Sequence, residues 1–176
     1  MRKIYVIGTL HNMMPRHKKE LIGILERMNP DQVLVEIAWS DLKAGKLAKY
    51  PKEMAVAYMW AVRKHKKAGG FDSKINIIKK SVTQRKAKEI EKKMFRRVRK
   101  LGWKELNKAR HEHILDDLYD LLVDTRKHTM REREMLKNIR RLAGKEGRIL
   151  IVTGAGHLPF FEKNLKGAVF PFRRKP

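Results

Sequence analysis

Two apolar runs bracket one amphipathic segment within the first 37 residues, and this spacing constrains the fold more than any other feature of the chain. Residues 3–8 (KIYVIG) are β-branched and aromatic and stop at a glycine; residues 32–37 (QVLVEI) form a second such run. Between them Pro15 opens a helix to about Met28, with Leu21, Ile22, Leu25 and Met28 on one face, and Asn29-Pro30-Asp31 makes a turn. Strand, helix and strand at this spacing predict a βαβ unit, a parallel pair joined by a right-handed crossover.

A third apolar run, residues 148–153 (RILIVT), lies near the other end of the chain. It is followed by a short helix from Pro159 to about Leu165 and a last strand over 168–170. The intervening residues read as helices over 52–67, 74–104, 104–123 and 129–143, with Ala68-Gly69-Gly70 ending the first of them. The predicted fold class is therefore α/β: a small, largely parallel or mixed sheet formed by both chain ends, with an inserted helical subdomain. At 176 residues the chain fits a single domain over 1–176, with 40–145 as a mostly helical insertion.

Composition excludes several classes. With no cysteine there are no disulfides and no thiolate metal ligands. The longest apolar run, residues 54–62, is about half of what a membrane helix needs, and residues 4–7 are too short for a signal-peptide core. The expectation is a soluble, cytoplasmic protein without a transmembrane segment.

Charge is the second unusual property. Lys and Arg total 43 against 19 acids, a formal net charge of +24. Residues 74–104 concentrate that excess, with 13 basic residues and only Glu89 and Glu91 opposing them. Ile90, Met94, Val98 and Leu101 recur there at helical spacing, which predicts an amphipathic basic helix. Its cations Arg85, Lys92, Lys93, Arg96, Arg97, Arg99 and Lys100 are available to phosphates, so non-specific nucleic-acid binding is one functional expectation. No helix-turn-helix, zinc-finger or RNP signature points to sequence readout.

The strongest chemical signal is a repeated motif. The first strand runs into Gly8-Thr9-Leu10-His11 and the third into Gly154-Ala155-Gly156-His157, the only two G-x-x-H sequences in the chain. Ligands of open parallel sheets bind outside the carboxyl ends of the strands. A glycine at a strand exit permits the sharp turn that folds a histidine back over that edge. Glu36 lies near the carboxyl end of the second apolar run, where a carboxylate is costly unless paired or metal-bound. His11, Glu36 and His157 together form a two-histidine, one-carboxylate set suited to a divalent metal with an open water position.

These features resemble the TraB/Tiki (GumN-like) superfamily: GTLH after the first strand, VLVEI in the second, Arg131-Glu132-x-x-Met135-x-x-x-Ile139 on a helix, then VTGAGHLP. The resemblance implies a metal-dependent site lined by His11, Glu36 and His157, with Arg131 facing it from the helix. The Tiki branch comprises metal-dependent peptidases, so a hydrolase acting on peptide or protein substrates with Mn²⁺, Co²⁺ or Zn²⁺ is the implied activity. Glu36 is then either a ligand or the general base, and Arg131 an oxyanion stabiliser. Glu132 stands where the family carries Asn or Asp, and the middle of the chain is more basic. The alternative is a basic nucleic-acid-binding protein that keeps the fold without catalysis.

His111-Glu112-His113 with Asp116 and Asp117 superficially resembles a metal cluster, but His113 and Asp117 at i,i+4 on a polar face read as a solvated pair. His17, His65 and His128 sit beside lysines in helical stretches and carry no signal of their own.

Overall fold

The computed structural model describes residues 1–9, 15–98 and 101–173. Its frame is a four-stranded, all-parallel sheet of β1 (Arg2–Thr9), β2 (Gln32–Ala38), β3 (Lys67–Asp72) and β4 (Gly147–Gly154), in the order β1-β4-β2-β3. The helices are α1 (Pro15–Met28), α2 (Trp39–Lys43), α3 (Lys52–Arg63), α4 (Gln84–Val98), α5 (Trp103–Leu106), α6 (Asp116–Leu122), α7 (Thr125–Leu142) and α8 (Leu158–Asn164).

Alternation along the strands builds two cores. Leu150 and Val152 of β4, with Ile7, Val33 and Val35, pack under Leu21 and Leu25 of α1 and Met54 and Ala57 of α3. Ile149 and Ile151, with Val6 and Leu34, pack on the opposite face under Met135 and Ile139 of α7 and Phe161 of α8. Both faces of β2 and β4 are thus covered, which explains their continuous apolar runs. A third, smaller cluster joins Ala87 and Ile90 of α4 to Leu118 and Leu122 of α6.

The α/β class and the sheet drawn from both ends of the chain agree with expectation. Five local expectations do not. β1 and β2 are parallel but not neighbours, because β4, apolar on both faces, occupies the slot between them. Ala68-Gly69-Gly70 does not end a helix; α3 stops at Arg63, and these residues belong to β3. The glycine at 70 is sterically required, since a Cβ there would lie 2.3 Å from the Ile37 carbonyl oxygen and 2.7 Å from the Leu42 side chain.

The expected helix over 74–104 shrinks to α4, because residues 73–83 form no helix and Lys74 instead pairs with Asp41 at 2.8 Å. The expected 104–123 helix breaks into α5, a 3₁₀ turn (Ala109–His111) and α6, leaving Leu121 exposed. The last strand reduces to one parallel bridge, Val169 with Tyr5, where Val6 N–H donates to the Val169 carbonyl and Val169 N–H to that of Ile4. This covers the open edge of β1. No helix among the described residues is long and apolar enough to cross a membrane.

Candidate metal centre

All four strands end at the same edge, and each brings a polar side chain to it: Thr9 from β1, Thr153 from β4, Glu36 from β2 and Asp72 from β3. The turn after β4 adds His157, and α7 adds His128, Arg131 and Glu132.

The α7 contribution follows from its cap. Asp124 accepts the Lys127 N–H at 3.1 Å, so the helix begins at Thr125, one turn before residue 129. That extra turn makes His128 helical. Residues 128, 131, 132 and 135 then fall at i, i+3, i+4 and i+7, on one face, and the buried Met135 and Ile139 orient that face toward the sheet.

Glu36 is buried in the middle of the group. One carboxylate oxygen accepts from Thr153 Oγ1 at 2.6 Å and from the Gly154 N–H at 2.7 Å. The other accepts from Arg131 Nη2 at 2.9 Å and faces His157 Nε2 at 3.3 Å. Arg131 reaches on to Asp72, its Nε and Nη2 donating to the two carboxylate oxygens at 2.9 and 3.0 Å. Burial pushes the Asp72 carboxyl above its ordinary value, against the pull of Arg131. Burial opposes the charge on Arg131, yet Asp72 and Glu36 outweigh it and hold the guanidinium firmly protonated.

His157 is almost fully enclosed between two carboxylates, with Nδ1 3.0 Å from Glu132 and Nε2 facing Glu36. Burial disfavours its protonation, but Glu36 and Glu132 prevail and push its pKa up to about 9. The ring of His128 stacks on that of His157, with centroids 5.1 Å apart and planes 10° apart, and its Nδ1 lies 3.6 Å from the second Glu132 oxygen. Burial lowers the pKa of His128, aided by the charges of His157 and Arg131 and opposed by Glu132, so this ring is neutral at pH 7. Among the described residues its buried Nε2 has no hydrogen-bond partner. Tyr119 of α6 meets the ring edge-on at 5.3 Å.

His128, Glu132 and His157 each offer a ligand atom, all within 4.8 Å of one another, and this group can hold a metal ion. The donor chemistry fits: two imidazoles and a carboxylate suit a borderline divalent cation, and His128 is already in the neutral form that a ligand requires. With both imidazoles neutral, Glu36, Asp72 and Glu132 exceed the single guanidinium by two negative charges, which a divalent cation would balance.

Of the residues singled out from sequence, Glu36, Arg131 and His157 come together here. His11 lies outside the described residues, as do Arg99 and Lys100 of the basic stretch. His128, set aside in the sequence as a helical histidine among lysines, is instead part of the cluster, and Glu132, Asp72 and Thr153 join it. The signal for His128 was its i,i+3,i+4 spacing to Arg131 and Glu132. For Asp72 there was none, because its strand carries no β-branched residue.

The surface histidine group is solvent-facing as expected, but the expected His113–Asp117 pair does not form. His113 Nδ1 pairs with Asp116 at 2.7 Å on the exposed surface, and Asp117 is taken by Arg97.

A second feature fixes the exit of β1. The Gly8 N–H donates to Asn107 Oδ1 at 2.7 Å, and Asn107 Nδ2 donates to the Gly8 carbonyl at 2.6 Å. The amide thus pairs with the backbone as another strand would. A Cβ on Gly8 would lie 2.7 Å from the Ala155 Cα, so the end of β1 packs against the start of the second G-x-x-H turn through this glycine.

No protein-family profile, curated protein or solved structure matches the chain.

Proposed function

We propose that the protein is a metal-dependent hydrolase whose centre lies at the carboxyl edge of the sheet. The observation that carries this reading is the convergence of His128, Glu132 and His157 beside the Glu36–Arg131–Asp72 network, with a buried ring nitrogen that has no partner among the described residues. A strongly basic chain that buries Glu36 and Glu132 on either side of the His157 ring accepts a desolvation cost that a bound cation would offset.

The divalent cation, Mn²⁺, Co²⁺ or Zn²⁺, would supply Lewis acidity toward a scissile carbonyl. The protein's own groups divide the remaining work. Glu132 spans the two histidines and sets their separation. Glu36 anchors His157 from the other side, and its bonds to Thr153, Gly154 and Arg131 fix it in place. Arg131 holds Glu36 in place through Asp72, and one turn of α7 places its charge beside the reacting region. His11 enters as a further donor on the strength of its motif. Peptide bonds are the proposed substrate, from the resemblance to the TraB/Tiki superfamily.

The test is metal content and turnover together. Purified protein should carry a divalent ion near one equivalent by inductively coupled plasma mass spectrometry, and should cleave members of a peptide panel when supplied with Mn²⁺, Co²⁺ or Zn²⁺. His157→Ala should abolish both. Turnover that survives in His157→Ala and His128→Ala would place the chemistry elsewhere.

A further inference from the structure

The basic helix α4 takes no part in the metal centre. Its apolar side, Ala87, Ile90 and Val98, is buried, with Ala87 and Ile90 packed against Leu118 and Leu122 of α6. The opposite side is therefore committed to the outside. Two of its cations already have acidic partners: Arg97 forms a two-pronged pair with Asp117, and Arg85 pairs with Glu89 at 3.3 Å. Lys88, Lys92 and Arg96 are exposed and, among the described residues, have no acidic partner.

These three recur every fourth residue, so they form one row along the helix with a step of about 6 Å at 1.5 Å rise per residue. Like charges at this spacing repel and weaken the helix. Lys88 and Lys92 also line a shallow surface depression of about 440 Å³ with Gln84, Arg85 and Glu89. A row of unpaired cations beside a shallow depression matches a linear array of phosphates.

We propose that the outer face of α4 is a docking surface for the phosphate backbone of double-stranded nucleic acid. The duplex is favoured over a single strand because the row itself is all cationic and α4 carries a single aromatic residue, the partly buried Phe95 one turn after Lys92, whereas a single strand calls for a series of rings on which successive bases stack. The contact reads charge and not sequence. It is independent of the hydrolase reading, since no residue is shared with the metal centre.

A +24 protein will bind polyanions through its general field, so the experiment must separate this face from net charge. Lys88→Glu/Lys92→Glu/Arg96→Glu is compared with Lys18→Glu/Lys19→Glu/Arg27→Glu on α1, which changes the net charge equally. Binding to two short DNA duplexes of unrelated sequence is measured by fluorescence anisotropy across a salt series. The wild type should bind both alike. The α4 variant should lose about tenfold or more in affinity, and its salt dependence should become shallower by about 2.7 in log–log slope, about 0.9 for each lost phosphate contact. The α1 variant should lose much less.

Equal losses in the two variants, or no loss in either, would overturn the proposal. So would tighter binding of the wild type to the single strand than to the duplex. Loss of binding to phosphatidylserine vesicles with duplex binding unchanged would assign the face to membranes instead. Lys88→Gln/Lys92→Gln/Arg96→Gln, checked by circular dichroism, gives the same reading without added repulsion should the reversed variant fail to fold.

Discussion

His157 and His128 lie face to face, 5.1 Å between ring centroids, with Glu132 bonded to one ring and approaching the other. One histidine comes from the turn after β4 and the other from the first turns of α7, so the pair ties the sheet edge to the covering helix. The two rings differ in protonation: the His157 pKa is pushed up to about 9, while that of His128 is lowered. A proton on His157 and a metal ion are therefore alternative occupants of the same negative pocket.

Glu132 should be the residue on which metal affinity depends most. Glu132→Gln keeps the shape and one acceptor oxygen but removes the charge shared by both rings, and should lower Zn²⁺ affinity by at least about 100-fold in competition with a chelator. Glu36→Gln leaves the three donors of the cluster in place and should cost less, about 10-fold. The reverse order would make Glu36 the ligand.

The metal-free protein should lose stability on the alkaline side. Because the folded pKa of His157 is raised from 6.5 to about 9, its contribution is fully present below about pH 6.5 and disappears as pH rises through about 9. Thermal melts of chelator-treated protein should therefore show a fall in Tm across this range, and the fall should be absent in His157→Gln. Metal affinity should rise over the same interval, because binding must displace the His157 proton.

Arg131 neutralises two buried carboxylates at once. Arg131→Met should destabilise the fold by about 3 to 5 kcal/mol in urea titrations, because Asp72 is left without a cation and Glu36 keeps only His157. Arg131→Lys should recover only part of that loss, since an ammonium cannot make the forked contact to Asp72 while holding Glu36. A near-neutral Arg131→Met would mean that Asp72 is protonated and that the pair is not a full ion pair.

Asn107 should matter out of proportion to its place in an irregular segment. Asn107→Ala strips the Gly8 N–H and C=O of their partners in a buried setting and should cost about 1 to 3 kcal/mol by urea denaturation. Asn107→Asp retains an acceptor for the Gly8 N–H but has no donor for the carbonyl, and should also destabilise. Gly8→Ala should do so independently, through the clash with the Ala155 backbone.

The apolar runs at β1, β2 and β4 were readable directly, because strands buried on both faces have to be apolar throughout, and their carboxyl ends located His157 and Glu36 at one edge. The helix bearing Arg131 was readable from the spacing of Met135 and Ile139. Sequence alone could not order the strands: β1 and β2 are each compatible with the other as neighbour, and only the packing of both faces of β4 sets it between them. It could not find β3 either, since Ala68-Gly69-Gly70 has no intrinsic preference for a strand and becomes one because Gly70 alone permits the approach of the Ile37 carbonyl. That strand brings Asp72 to Arg131. The role of His128 was likewise a tertiary outcome: a histidine among basic neighbours acquires its chemistry only when an Asp124 cap starts α7 one turn early and the sheet edge supplies Glu36 and His157 opposite it.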